Sequence, residues 1–211
     1  MLKQHVKNKS LKLSSRNWIN RQINDEYVIK AKQMGYRSRA AFKILEIQEK
    51  YKIINNKSVV VDLGAAPGGW SQVIAPMCKK IIAVDLLQMD PIPNVDFIQG
   101  DFLDNNCINI INEKLNNSKI DVILSDMAPN TCGIQKVDHL RIMNILEHVY
   151  EFAKITLNNG GTLVAKVFQG GAFNEINNKI KRDFKQVFNF KPKSSRKKST
   201  ELYIICKGFK Q

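Results

Sequence analysis

The sequence predicts an α/β domain built on a seven-stranded, mostly parallel sheet with helices on both faces. Three observations predict it. First, from residue 58 onward apolar runs near 58–63, 80–84, 95–98, 120–124, 161–167, 186–190 and 201–206 are separated, for the most part, by helical patterns near 69–77, 104–116, 137–157 and 173–184. That alternation is the mark of βαβ units. Second, Val59-Val60-Val61 is β-branched throughout, as expected of a strand buried on both faces. Third, the run continues through Asp62 and Leu63 into Gly64-Ala65-Ala66-Pro67-Gly68-Gly69-Trp70. A strand, a glycine loop and a helix start in that order leave backbone N–H groups free to cradle a ligand.

At 211 residues the length suits one domain. The division expected is a basic, flexible arm over residues 1–22 followed by a single catalytic domain over 23–211. A hydrophobic content of 44% supports a full core. No run of about 18 apolar residues predicts a membrane span. The Lys-rich N-terminus lacks the apolar segment of a secretory signal, so a cytoplasmic protein is expected. Cys78, Cys107, Cys132 and Cys206 are far apart and form no C-x-x-C pair. They are expected as reduced, half-buried thiols. His5, His139 and His148 are scattered and are expected on helix surfaces, so no metal site is predicted.

The net charge of +14 is segregated. Residues 1–52 carry 13 Lys/Arg against 4 Asp/Glu, and residues 179–211 carry 11 against 2. Residues 53–178 carry 9 against 13. Basic ends flanking an acidic middle suit a polyanion partner, because each neutralised phosphate releases counterions.

Along the chain, residues 1–22 hold Lys3, Lys7, Lys9, Lys12, Arg16 and Arg21 around Trp18, which could stack on a base or dock on the domain. Residues 24–34 and 38–51 predict two helices broken at Gly35, the second capped by Ser38. Arg39, Lys43, Glu46 and Lys50 share its polar face, so by periodicity Lys43 is a surface lysine. The last two strands, joined by the polar loop from Lys191 to Ser199, are expected as an antiparallel pair at one end of the sheet.

Ligands of such sheets bind at the carboxyl ends of the strands. Four acids fall there in succession: Asp62, Asp85, Asp101 and Asp126. Asp85 lies about 20 residues beyond the glycine loop, where an acid can hold ribose hydroxyls. Asp101 follows the third strand, where it could accept from an adenine amine. Lys166 interrupts the apolar strand Gly161 to Phe168, and a lysine in a buried strand needs a partner or a task. Glu201 opens the last strand in the same way.

With these residues placed, the sequence resembles the FtsJ/RrmJ family of ribosomal RNA 2′-O-methyltransferases over nearly its whole length. The resemblance rests on Tyr36-Arg37-Ser38-Arg39-Ala40-Ala41-Phe42-Lys43, Val61 to Gln72, Val84-Asp85-Leu86-Leu87 and Gln99-Gly100-Asp101-Phe102. It continues through Ser125-Asp126-Met127-Ala128-Pro129-Asn130, Lys166-Val167-Phe168-Gln169-Gly170 and Ser194-Ser195-Arg196. It implies a Rossmann-like fold, S-adenosylmethionine as cofactor, and a catalytic tetrad of Lys43, Asp126, Lys166 and Glu201. It places cofactor contacts at Gly64, Gly68, Trp70, Asp85, Asp101 and Asp126. The implied substrate is a uridine ribose in the A loop of 23S rRNA within the large ribosomal subunit, with no obligate protein partner and a monomeric enzyme. The rival substrates are tRNA and the mRNA cap. A non-catalytic ribosome-assembly factor would show a damaged tetrad, and none is damaged here. A nicotinamide dehydrogenase would carry G-x-G-x-x-G, which is missing.

Overall fold

A computed structural model describes residues 12–116, 118–130, 132–169, 174–197 and 199–210, without the side chains of Ser14, Trp18, Asn174 and Glu175. The readings made for residues 1–11, the Trp18 side chain and Gly170 lie outside it. Seven strands form one sheet: β1 Val59–Leu63, β2 Lys80–Asp85, β3 Val95–Gln99, β4 Ile120–Ser125, β5 Leu157–Phe168, β6 Phe184–Phe190 and β7 Glu201–Phe209. Their order is β3-β2-β1-β4-β5-β7-β6. The first five in that order run parallel. β7 is antiparallel to both neighbours and slots between β5 and β6. The chain reverses its direction of travel between β1 and β4, which opens a crevice above their carboxyl ends.

The helices are α1 Leu13–Ile23, α2 Glu26–Gln33, α3 Ala41–Tyr51, α4 Gly69–Ile74 with a 3₁₀ turn at Ala75–Met77, α5 Asn105–Leu115, α6 Gln135–Thr156 and α7 Asn174–Asp183. On one face of the sheet Ile44, Ile47, Trp70 and Ile74 of α3 and α4 pack on Val60, Ile81, Leu124, Val164 and Tyr203. On the other, Ile111, Leu146, Val149, Phe152 and Ile180 of α5, α6 and α7 pack on Val61, Ile82, Ile123 and Leu163. Side chains alternate along a strand. Asp126 lies two residues beyond Leu124, Lys166 two beyond Val164 and Glu201 two before Tyr203. Because β7 is antiparallel, Glu201 at its start pairs with Phe168 at the end of β5. Period two and one strand reversal thus bring three distant charges to one rim of the α3/α4 face.

Several local expectations need correction. Residues 13–22, expected in a flexible arm, lie in the helix α1. Its end leads into Asp25, which caps α2 by accepting from Tyr27 N at 3.1 Å and also receives Arg39 and Arg196. Ser38 does not cap α3: the helix starts at Ala41, and Ser38 Oγ instead accepts from Ala40 N at 3.2 Å. His139 is buried rather than on a helix surface. The four cysteines are free, but Cys107 and Cys206 are buried and Cys132 is exposed. Among the described residues no helix is long and apolar enough to cross a membrane.

Lys43 is the most informative departure. It is 8% exposed, although the helical period puts it on the polar stripe of α3. That stripe faces other polar parts of the chain. Glu46 accepts from the backbone of Lys193 and Ser194, and Arg39 donates to the Ser194 carbonyl. Ile44 and Ile47, wholly buried, fix the angle at which Lys43 enters. Ile44→Ala should therefore cost about 2–5 kcal/mol, seen as a lower urea midpoint with an unchanged slope.

Candidate active site

Four charged side chains meet at the carboxyl end of β4 and β5. Lys166 Nζ lies 2.8 Å from Asp126 Oδ1 and donates to the Asp126 carbonyl at 2.6 Å. Lys43 Nζ is 3.0 Å from Glu201 Oε1 and 3.9 Å from Asp126 Oδ1. Tyr203, one turn of the pleat from Glu201, joins the two halves. Its hydroxyl donates to Asp126 Oδ1 and accepts from Lys43 Nζ at 3.0 Å. Ser195 Oγ donates to Glu201 Oε1 at 2.8 Å. Two cations and two anions make the cluster formally neutral.

Its electrostatics follow from burial and pairing. Burial alone would raise the carboxyl of Asp126. The charges of Lys166 and Lys43 and the hydrogen bonds from Lys166 and Tyr203 outweigh it and hold Asp126 below its ordinary value. Glu201 is likewise penalised by burial, yet is lowered by the charge and hydrogen bond of Lys43, by Ser195 and by Lys166. Burial, then the charges of Asp126 and Glu201, push Tyr203 well up, so it stays a neutral phenol. Both carboxylates are therefore ionised at neutral pH.

Two cavities touch this cluster. A cavity of about 420 Å³ lies over the strand ends, walled by Gly64, Asp85, Asp101, Asp126 and the segment Met127 to Asn130. Asp85 shapes its floor by accepting from Ala66 N and Leu87 N, both at 2.8 Å. Asp101 accepts from Leu103 N at 2.9 Å. Gly64 has φ +76°, and a Cβ there would stand 3.0 Å from the backbone of Met127. Only glycine lets β1 and the chain after β4 approach so closely. The second cavity, about 410 Å³, is lined by Arg21, Arg39, Lys43, Arg196, Ser199 and Glu201.

Gly68 and Trp70 do not line either cavity. Gly68 turns the loop with φ +101°. The Trp70 indole is 2% exposed, donates to the Ala40 carbonyl at 2.9 Å and packs 5.5 Å from the Tyr203 ring. Its side chain braces the cluster from below. Arg37 ties the loop down by donating to the Asp90 and Pro91 carbonyls at 2.7 Å and to Pro67 at 3.2 Å.

Beneath the glycine loop, Asp62 is 1% exposed. Ser71 Oγ donates to its Oδ2 at 2.6 Å, while its buried Oδ1 has no partner among the described residues. Burial, against the Ser71 hydrogen bond and reinforced by the charges of Asp126 and Asp85, pushes its carboxyl up to about 7.

Comparison with known proteins assigns the family. The FtsJ-like methyltransferase model matches residues 36–209. The chain belongs to the FtsJ-like methyltransferase family. A Rickettsia bellii protein named Ribosomal RNA large subunit methyltransferase E is 50% identical over 202 residues, covering 92% of this chain and 88% of the relative. A Rhodopseudomonas palustris protein of the same name is 50% identical over 206 residues, covering 95% and 87%. Among solved structures, a Plasmodium falciparum chain described as a ribosomal RNA methyltransferase superposes with TM-score 0.75 at 36% identity, covering 82% of this chain and 98% of that one. The Rossmann-like α/β fold expected from the sequence is the fold of this FtsJ-like protein.

Sequence reasoning named the four charges but missed Tyr203, Ser195 and the counter-ion Asp25. Tyr203 had a usable signal, since it shares a strand face with Glu201. Ser195 stood in one of the motifs that carry the resemblance but had no role attached to it, and Asp25 had no signal, because its partners are set by loop geometry.

Asp62 makes the fold itself pH-sensitive. Its folded value is raised above the unfolded one, so the folded state binds the extra proton and stability falls as pH rises from about 4 to 7. Asp62→Asn removes that penalty. The gain in unfolding free energy over wild type should be about 3 kcal/mol larger at pH 8 than at pH 5, measured by denaturant melts at both.

Proposed function

We propose that this protein uses S-adenosylmethionine to methylate the ribose 2′-hydroxyl of a uridine in the A loop of 23S rRNA, acting on the large ribosomal subunit. The observation that carries the reading is the position of the charged cluster. Asp126 belongs to the wall of one cavity, and Lys43 and Glu201 belong to the wall of the other. A donor and an acceptor entering from the two sides would meet at Lys166 and Asp126. Relatives named for the large-subunit rRNA support the substrate class.

The residues fit the cofactor. Gly64, Asp85 and Asp101 line the same cavity, and the two carboxylates would hold the ribose hydroxyls and the adenine amine. When bound, S-adenosylmethionine supplies a methyl group on a sulfonium. The protein's own part is alignment, solvent exclusion and handling of the hydroxyl proton. Asp126, fixed by Lys166 and Tyr203, borders the site of transfer. As an ammonium, Lys166 has three N–H donors. Two are engaged by Asp126 Oδ1 and the Asp126 carbonyl, which leaves one for the incoming 2′-oxygen. Lys43 is already committed to Glu201 and Tyr203, so it compensates charge instead. Lys166 then stabilises the developing negative oxygen, or as a free amine takes its proton.

The second cavity carries the basic side chains Arg21, Arg39 and Arg196. Asp25 holds Arg39 and Arg196 in place, through contacts with Arg39 and at 3.3 Å with Arg196. Pre-arranged guanidinium groups suit a phosphate backbone.

Labelled S-adenosylmethionine should transfer its methyl group to large subunits lacking the modification, with the label mapping to one A-loop uridine ribose. Label in tRNA or capped mRNA alone would refute the assignment. Lys166→Ala should lower kcat by about 10²- to 10⁴-fold with cofactor affinity retained, as read by calorimetry. Asp85→Ala should raise the cofactor Kd before it affects kcat.

A further inference from the structure

We infer that Asp62 is an exchangeable counter-charge for the methyl donor, ionised while the donor's positive charge is in the cavity and neutral once that charge is gone. The inference rests on the S-adenosylmethionine reading and goes beyond it, because it assigns a function to a residue that lines neither cavity.

The geometry comes first. Asp62 sits inside β1, opposite Ala83 of β2 and Leu124 of β4. Asp85 lies two residues beyond Ala83 and Asp126 two beyond Leu124, so three carboxyl groups share one face around the end of β1. Gly64, two residues along β1 from Asp62, forms part of the cavity wall together with Asp85 and Asp126. Of the three, Asp85 takes two backbone N–H groups and Asp126 takes Lys166 and Tyr203. Asp62 alone keeps a buried oxygen with no partner among the described residues, its other oxygen being held by Ser71 of α4. A buried carboxylate half satisfied in this way is costly, and the neutral acid is the cheaper form.

The charged and titratable groups facing it are Asp85 from β2 and Asp126 from β4, with the Ser71 hydroxyl and, more weakly, the Ser71 backbone N–H from α4. Lys166 and Lys43 lie beyond Asp126, already paired to it or to Glu201. Both neighbouring carboxylates oppose ionisation of Asp62, and its midpoint falls at about 7. A cation entering the cavity reverses that field and favours the ionised form.

The proton accounting closes. Asp62 releases to solvent whatever proton it holds as the positive charge enters, about half a proton at pH 7, and takes the same amount back when the charge is lost. Methyl transfer breaks a C–S bond, forms a C–O bond and frees the ribose hydroxyl proton, so a full turnover releases one proton net. By linkage, the affinity for the donor rises with pH through neutrality relative to that for the demethylated product, by at most about tenfold per pH unit. The product is a neutral thioether at the same position, so Asp62 separates two ligands of almost identical shape by charge alone.

The test is isothermal calorimetry at pH 7 in two buffers of different ionisation enthalpy, with S-adenosylmethionine and S-adenosylhomocysteine. The expected result is release of about half a proton with the donor and essentially none with the product. Asp62→Asn should bind both ligands with no difference in proton release. Ser71→Ala leaves the carboxyl in place but removes its hydrogen bond, and should move the midpoint of release to higher pH. Equal release with both ligands, or an unchanged difference in Asp62→Asn, overturns the inference while leaving the cofactor reading standing. Should Asp62→Asn fail to fold, an unshifted midpoint in Ser71→Ala overturns it as well. Failure of either ligand to bind overturns the cofactor reading and this inference together.

Discussion

The ion pair between Lys166 and Asp126 is the contact on which the rest of the structure depends. It is made at the carboxyl ends of two adjacent parallel strands, just past their last mutually paired residues, Ser125 and Ala165. Lys166 binds both the side chain and the main-chain carbonyl of Asp126, so the residue that leaves β4 is fixed in direction as well as in charge. The Asp126 N–H in turn donates to the Leu63 carbonyl at 3.2 Å, which ties the same residue to the end of β1. One carboxylate thereby registers the glycine loop, the segment beyond β4 and the charged strand β5 against each other.

A buried arrangement of this sort is a weak source of stability, because desolvation offsets much of the attraction. Its value is positional. Lys43 and Glu201 complete the neutralisation, and Tyr203 links both halves through a hydroxyl that stays protonated. Trp70 and Ser195 immobilise Tyr203 and Glu201 from outside. The result is a rigid partition with one face toward a cavity bordered by Asp85, Asp101 and Asp126 and the other toward a cleft bordered by arginines. The basic ends and acidic middle seen in the sequence take on spatial meaning here. Residues from both basic ends, Arg21 and Arg39 from one and Arg196 from the other, close on the same cleft.

Much of this was legible in the chain. The alternation of strands and helices, the small-residue loop after Val61, and the acids at successive strand ends are local patterns, each set by backbone geometry within a few residues. They place β1 to β5 and the floor of the cavity without reference to anything distant. The motif resemblance then joined Lys43 to Asp126, Lys166 and Glu201. The geometry brings those four residues into one small volume.

What the sequence alone determined, then, is every feature whose cause is local: element type, the face on which each strand residue falls, and the glycine turn that follows β1. Tertiary structure decided the features whose cause is a partner far along the chain. Lys43 looks like a solvated helix residue until β7 inserts beside β5 and brings Tyr203 and Glu201 against it. Trp70 looks like a ligand contact until its indole is buried under Tyr203. Asp62 looks like one strand-end acid among four until packing buries one of its oxygens with no partner among the described residues. Burial and Coulomb energy depend on distance in space, and period along the chain does not encode that distance.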